Sequence, residues 1–214
     1  MRKPLFFLLI FSFFFGGLSS GESSSFLHVD KTPTFISTLS GGIFDEKGNA
    51  IRSPIVIFSS VPASLQEEIS HATLGTSSQQ IIVNNPTENP RWTLTLSPVD
   101  GIDALWKSKN ERYDINDMSG TDGKDNDSVG GKLLVDPTEM HILPKGGCSG
   151  MGISPGVSTA FSEDRENITL VVSGNNADTH CEWSLTNIAL SQIIPAEQAV
   201  GNYSLDMMLT MVAF

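Results

Sequence analysis

Tyr203-Ser204-Leu205-Asp206-Met207-Met208-Leu209-Thr210-Met211-Val212-Ala213-Phe214 closes the sequence, with a large apolar residue at every second position from Tyr203 to Met211. Successive side chains of a β-strand point to opposite faces, so Tyr203, Leu205, Met207, Leu209 and Met211 share one face, with Ser204, Asp206, Met208, Thr210 and Val212 on the other. A strand whose one face carries that much apolar area docks into a sheet. Upstream, short runs rich in β-branched and aromatic residues recur between clusters of Gly, Pro, Asn and Asp, and almost no stretch keeps helical periodicity. These runs predict strands at Thr34–Leu39, Ile51–Ser59, Gln79–Val83, Arg91–Ser97, Lys132–Asp136, Met140–Leu143, Ile168–Ser173, His180–Leu190 and Tyr203–Phe214. Asp45-Glu46-Lys47-Gly48-Asn49 predicts a hairpin turn, because Gly and Asn tolerate positive φ. Gly101–Lys109, with Ile102, Leu105 and Trp106 on one helical face, and Ser64–His71 are expected to form short helices. The expected fold is mostly β, an antiparallel β-sandwich of the Ig-like or Greek-key type with one or two short helices.

The opening residues have a different character. Arg2 and Lys3 precede an apolar run from Leu5 to Phe15, followed by Gly16, Gly17, Ser19 and Ser20. That order of charged, apolar and small residues predicts a secretory signal over residues 1–20, cut between Ser19 and Gly21. The apolar run is shorter than the roughly 20 residues a membrane helix needs, so no membrane span is expected after cleavage. Residues 21–33 are read as a disordered N-terminal segment, and residues 34–214 as a single domain large enough for a substantial core.

The chain carries 24 acidic and 13 basic residues, a formal charge of −11. No basic stripe is available to neutralise phosphates, which argues against nucleic acid and anionic membrane surfaces as partners. The acidity suits cation binding, or simply keeps an exported protein dispersed. Cys148 and Cys181 are its two cysteines. In an oxidising compartment an even number predicts a disulfide.

Three constellations could carry chemistry. An acidic loop over residues 111–130 contains Asp122-Gly123-Lys124-Asp125-Asn126-Asp127. Asp122, Asp125 and Asp127 offer hard oxygen ligands on a Gly-relieved backbone, so a structural calcium is one reading and a solvated polar loop the other. The spacing does not fit an EF-hand, whose fifth position would be Val129. Gly152-Ile153-Ser154-Pro155-Gly156 has the spacing of a hydrolase nucleophile elbow. Pro155 disqualifies it, because the residue after the nucleophile must donate its backbone N–H to the oxyanion hole and proline has none. No enzyme activity is expected, with a hydrolase as the remote alternative. The third constellation is a repeated Trp-x-Leu, at Trp92-Thr93-Leu94 and Trp183-Ser184-Leu185. On a strand each motif puts its Trp and Leu on one face, which is either core or an aromatic binding platform.

Two Trp-x-Leu motifs in a signal-bearing, β-rich chain resemble the WxL-domain surface proteins of bacteria, and in particular the short secreted chains that share the pattern. The resemblance covers most of residues 50–214 and includes Gln79-Gln80-Ile81-Ile82-Val83 before the first motif, Gly131-Lys132-Leu133-Leu134-Val135-Asp136-Pro137 between the two, and Ile194-Pro195-Ala196 with Gly201-Asn202-Tyr203-Ser204 before the last strand. It implies a secreted domain at the cell surface or wall that associates non-covalently with peptidoglycan, with Trp92, Leu94, Trp183 and Leu185 as the wall-binding motif. The alternative expectation is an adhesin or filament subunit that contacts other surface proteins through strand edges while its tryptophans are buried.

Overall fold

A computed structural model describes residues 39–118 and 129–214 in full and residues 9–17 at the level of backbone pairing. Its strands form three sheets. The first runs in the order β12 (Ile153–Pro155), β14 (Ile168–Ser173), β6 (Trp92–Pro98), β17 (Tyr203–Ala213), β1 (Leu9–Gly17) and β3 (Ile57–Phe58). At its side β7 (Leu105–Lys107) pairs with both β17 and β8 (Arg112–Asp114). The second has the order β13 (Thr159–Ala160), β10 (Gly131–Asp136), β16 (Ile188–Ile194) and β4 (Glu68–Leu74), with β9 (Asn116–Asp117) against β10. The third is β11 (His141–Lys145), β15 (Cys181–Thr186), β5 (Gln80–Asn85) and β2 (Ser40–Phe44). The chain is therefore mostly β, with antiparallel sheets packed on one another, as its alternating runs require. Among the described residues the one parallel pairing is β1 with β17.

The closing strand behaves as its pattern dictates. Tyr203, Leu205, Met207 and Leu209 are buried, while Ser204 and Asp206 face solvent. Each end of its inward face meets a different sheet. Toward β6 and β14 the third sheet covers it, and Trp183 of β15 packs against Trp92 of β6 with ring centroids 5.6 Å apart. Toward β7 the second sheet covers it, and Trp106 Nε1 donates to Gln192 Oε1 of β16 at 2.8 Å. Phe58, Trp106, Tyr113 and Tyr203 form a chain of ring contacts 5.0 to 6.0 Å apart there. All of these rings belong to one continuous core.

The hairpin turn forms as expected. Asp45 accepts the backbone N–H groups of Lys47 and Asn49, Gly48 sits at φ 81°, and the chain returns with Ile51 N–H donating to the Ile43 carbonyl. The side-chain amide of Asn49, then backbone N–H donors, hold the Asp45 carboxyl below its ordinary range. Asp136 is lowered in the same way by the Thr138 hydroxyl and then its N–H. A carboxylate whose folded pKa lies below its unfolded one stabilises the fold above the unfolded value and loses that contribution as pH falls through the folded one. The melting temperature is therefore expected to fall as pH drops below about 4, and Asp136→Asn should flatten that limb of the profile.

Other expectations are corrected. Gly101–Lys109 yields a 3-10 turn over Gly101–Asp103 and then strand β7, and the Ser64–His71 segment ends in strand β4. On β4 the small polar Ser70 points inward and Ile69 outward, so the usual apolar alternation is absent. The expected strand His180–Leu190 divides into β15 and β16 at Asn187, whose φ is 67° and whose N–H donates to the Gly75 carbonyl. Of Ile51–Ser59 only Ile57–Phe58 is strand. The expected strand Thr34–Leu39 lies, apart from Leu39, outside the described residues, as does the expected disordered segment 21–33. At the start of β10, Gly131 has φ 152° and a Cβ there would overlap the Asp114 carbonyl oxygen. Gly131→Ala is expected to lower stability by about 1–3 kcal/mol, read from urea unfolding.

Candidate functional site

The two Trp-x-Leu motifs occupy neighbouring positions, but not as a surface. Trp92 and Leu94 lie on β6, Trp183 and Leu185 on β15, and all four are 0% exposed. The expected wall-binding face is thus the middle of the sandwich, and this corrects the reading of these residues as a polymer platform. Neither motif lies on an outer face, because β6 and β15 belong to sheets that close on each other. Trp183 Nε1 donates to the Ser149 carbonyl at 2.8 Å. Trp92 Nε1 has no hydrogen-bond partner among the described residues, and its backbone N–H donates to Ser173 Oγ at 2.6 Å.

The disulfide lies beside the second motif. Cys148 and Cys181 are bonded, with Cα atoms 5.9 Å apart, and the bridge fixes the loop that presents Ser149 to Trp183. Asp178 Oδ2 holds the same loop by accepting the Ser149 N–H at 2.6 Å. The pair of cysteines is therefore a structural clamp on the Trp183 pocket.

The remaining candidates do not assemble a reacting centre among the described residues. Ile153-Ser154-Pro155 is a strand, β12, paired along β14, where a nucleophile elbow needs a sharp strand-to-helix turn. His71 bonds Ser191 Oγ at 3.0 Å and His180 bonds Glu88 Oε1 at 2.8 Å. Asp122, Asp125 and Asp127 lie outside the described residues, within 119–128. Among the described residues no three His, Cys, Asp or Glu side chains cluster as a metal site. At the rim of the acidic loop Asp114 is buried and accepts the N–H groups of Ile115 and Asp117 at 2.6 and 2.7 Å.

No family model matches the chain, and no curated protein matches it. What stands out in the geometry is a strand position that sequence reasoning missed. On one flank β17 pairs with β6 along Met207–Ala213 and with β7 at Ser204. On the other flank its partner among the described residues is β1, paired from Tyr203 to Met211. Among the described residues the far side of β1 meets β3 at two positions, Leu9 with Phe58 and Ile10 with Ile57. Next to β3, Ser59 N–H donates to the His71 carbonyl of β4 at 2.8 Å, so β3, the end of the first sheet, adjoins β4, the edge of the second. A groove of 580 Å³ runs along β3 and β4, lined by Ile55, Ile57, Phe58, His71, Thr73 and Gln79. No helix among the described residues is long and apolar enough to cross a membrane.

Proposed function

We propose that this chain is an exported, non-catalytic subunit of the cell surface that assembles with other surface proteins through the edges of its strands. One observation carries the reading. The strand that completes the flank of β17 is Leu9–Gly17, the stretch whose sequence has the order of a secretory leader. Cleavage after export would remove it and take from Ser204–Met211 the strand with which that side is paired. An exposed strand edge of that length is a template for pairing with another chain.

Burial of both tryptophans moves support from the wall-polymer reading to the assembly reading, since a side chain with no exposed surface cannot contact a sugar chain. Resemblance to WxL-domain proteins still supports a location at the wall, with association by another surface of the domain. Two measurements on the leader-free chain decide between these. Crosslinking on producing cells is expected to join it to protein partners, and purified peptidoglycan is expected not to pellet it. Pelleting with peptidoglycan and no protein crosslinks would overturn the proposal in favour of a wall-binding module.

A further inference from the structure

We infer that the seam between β17 and β3 is an acceptor site for one kind of ligand: an apolar strand from another polypeptide, running parallel to β17. The inference rests on the export and assembly reading above and adds the chemistry of the partner. The register defines that chemistry. Leu9, Phe11, Phe13 and Phe15 stand opposite Tyr203, Leu205, Met207 and Leu209, the four buried residues of the core-facing side of β17. The site therefore takes a strand of about nine residues with large apolar side chains at every second position.

On the opposite face the register sets Ser12 against Asp206, which is exposed. A lysine or arginine at that point of the occupant would meet the opposite charge, in keeping with a chain whose net charge is −11.

Among the described residues the other strands of a leader-free chain are committed to the three sheets. Between the cleavage point and β2, the stretch Gly21–Val29 offers Ser23 and Ser25 where large apolar residues are needed. Every other nine-residue window up to Leu39 contains Asp30, Lys31 or Pro33. Proline cannot donate to the ladder, and an unpaired charge facing the core is costly. The occupant therefore comes from outside, and main-chain pairing supplies affinity while the alternate pockets along Tyr203–Leu209 supply specificity.

The test uses residues 21–214 and two synthetic nine-residue peptides of the same composition. One carries Leu, Phe, Phe and Phe at alternate positions with Thr and Lys between them, and the other has the apolar residues out of phase. The in-phase peptide is expected to bind at one per chain and raise the melting temperature by several degrees, and the out-of-phase peptide to do neither. A cysteine in the peptide at the position matched to Thr210 should form a disulfide with Thr210→Cys and not with Ser204→Cys, because the pairing is parallel. If residues 21–214 do not fold alone, refolding should succeed with the in-phase peptide only. The inference is overturned if the leader-free chain melts with the leader-bearing one and ignores both peptides. Protein crosslinks on cells together with no peptide binding would remove the seam and leave the assembly reading standing. Peptide binding with no crosslinks on cells would do the reverse.

Discussion

Trp183→Ala is expected to destabilise the domain by about 3–5 kcal/mol, a large part of the 5–15 kcal/mol that holds a typical domain folded. The ring is fully buried, packs on Trp92 and donates to the Ser149 carbonyl, so truncation opens a cavity and leaves that carbonyl without its donor. Trp92→Ala should cost a similar amount. Because the two rings touch, the double variant should cost less than the two single effects together. Urea unfolding checks this directly: the midpoint should fall while the slope stays near the wild-type value. If these rings were an exposed binding platform, each substitution would change stability by no more than about 0.5 kcal/mol.

Opening the disulfide is the second large effect. Cys148 and Cys181 are 33 residues apart in sequence, and in the chain-entropy account closing such a loop stabilises the fold by about 3–4 kcal/mol. Cys148→Ala with Cys181→Ala is expected to lose about that amount. A local consequence should accompany it, because the bridge steadies the Ser149 loop over Trp183. The combined loss with Trp183→Ala is therefore expected to fall short of the two separate losses. Full additivity would mean that the bridge acts on the unfolded chain alone.

Much of the fold was legible because strand alternation is a direct imprint of burial. Tyr203, Leu205, Met207 and Leu209 recur at every second position and are buried in the sheet, while Ser204 and Asp206 between them are exposed and Met208 is half-buried. The division of the long run after His180 was also present in principle: Cys181, Trp183 and Leu185 face inward on odd positions, Ile188, Leu190 and Ile194 on even ones. A change of phase needs a break, and Asn187 at positive φ supplies it. The strand β4 was hidden because its inward residue is Ser70, and β7 because Leu105 and Trp106 are adjacent and both buried, which imitates one helical face.

The site was legible only in part. A Trp-x-Leu motif tells which residues share a face, but period two is identical for a face turned to water and a face turned to a second sheet. Which of these holds depends on the third sheet, whose strands β2, β5, β11 and β15 come from widely separated parts of the chain. The seam was hidden for another reason. Leu9–Gly17 satisfies the composition of a leader, and nothing in that composition shows that its alternate residues also match the register of β17. The disulfide, by contrast, followed from cysteine arithmetic once export was assumed.

Amide hydrogen exchange along Tyr203–Met211 in residues 21–214 tests the central claim most directly. Alternate N–H groups of a strand point to opposite flanks, so those bonded toward β6 should stay protected while those on the other flank exchange rapidly. Adding a partner strand should protect the second set. Slow exchange of both sets in the leader-free chain alone would mean that the flank of β17 is already closed, and would contradict the account.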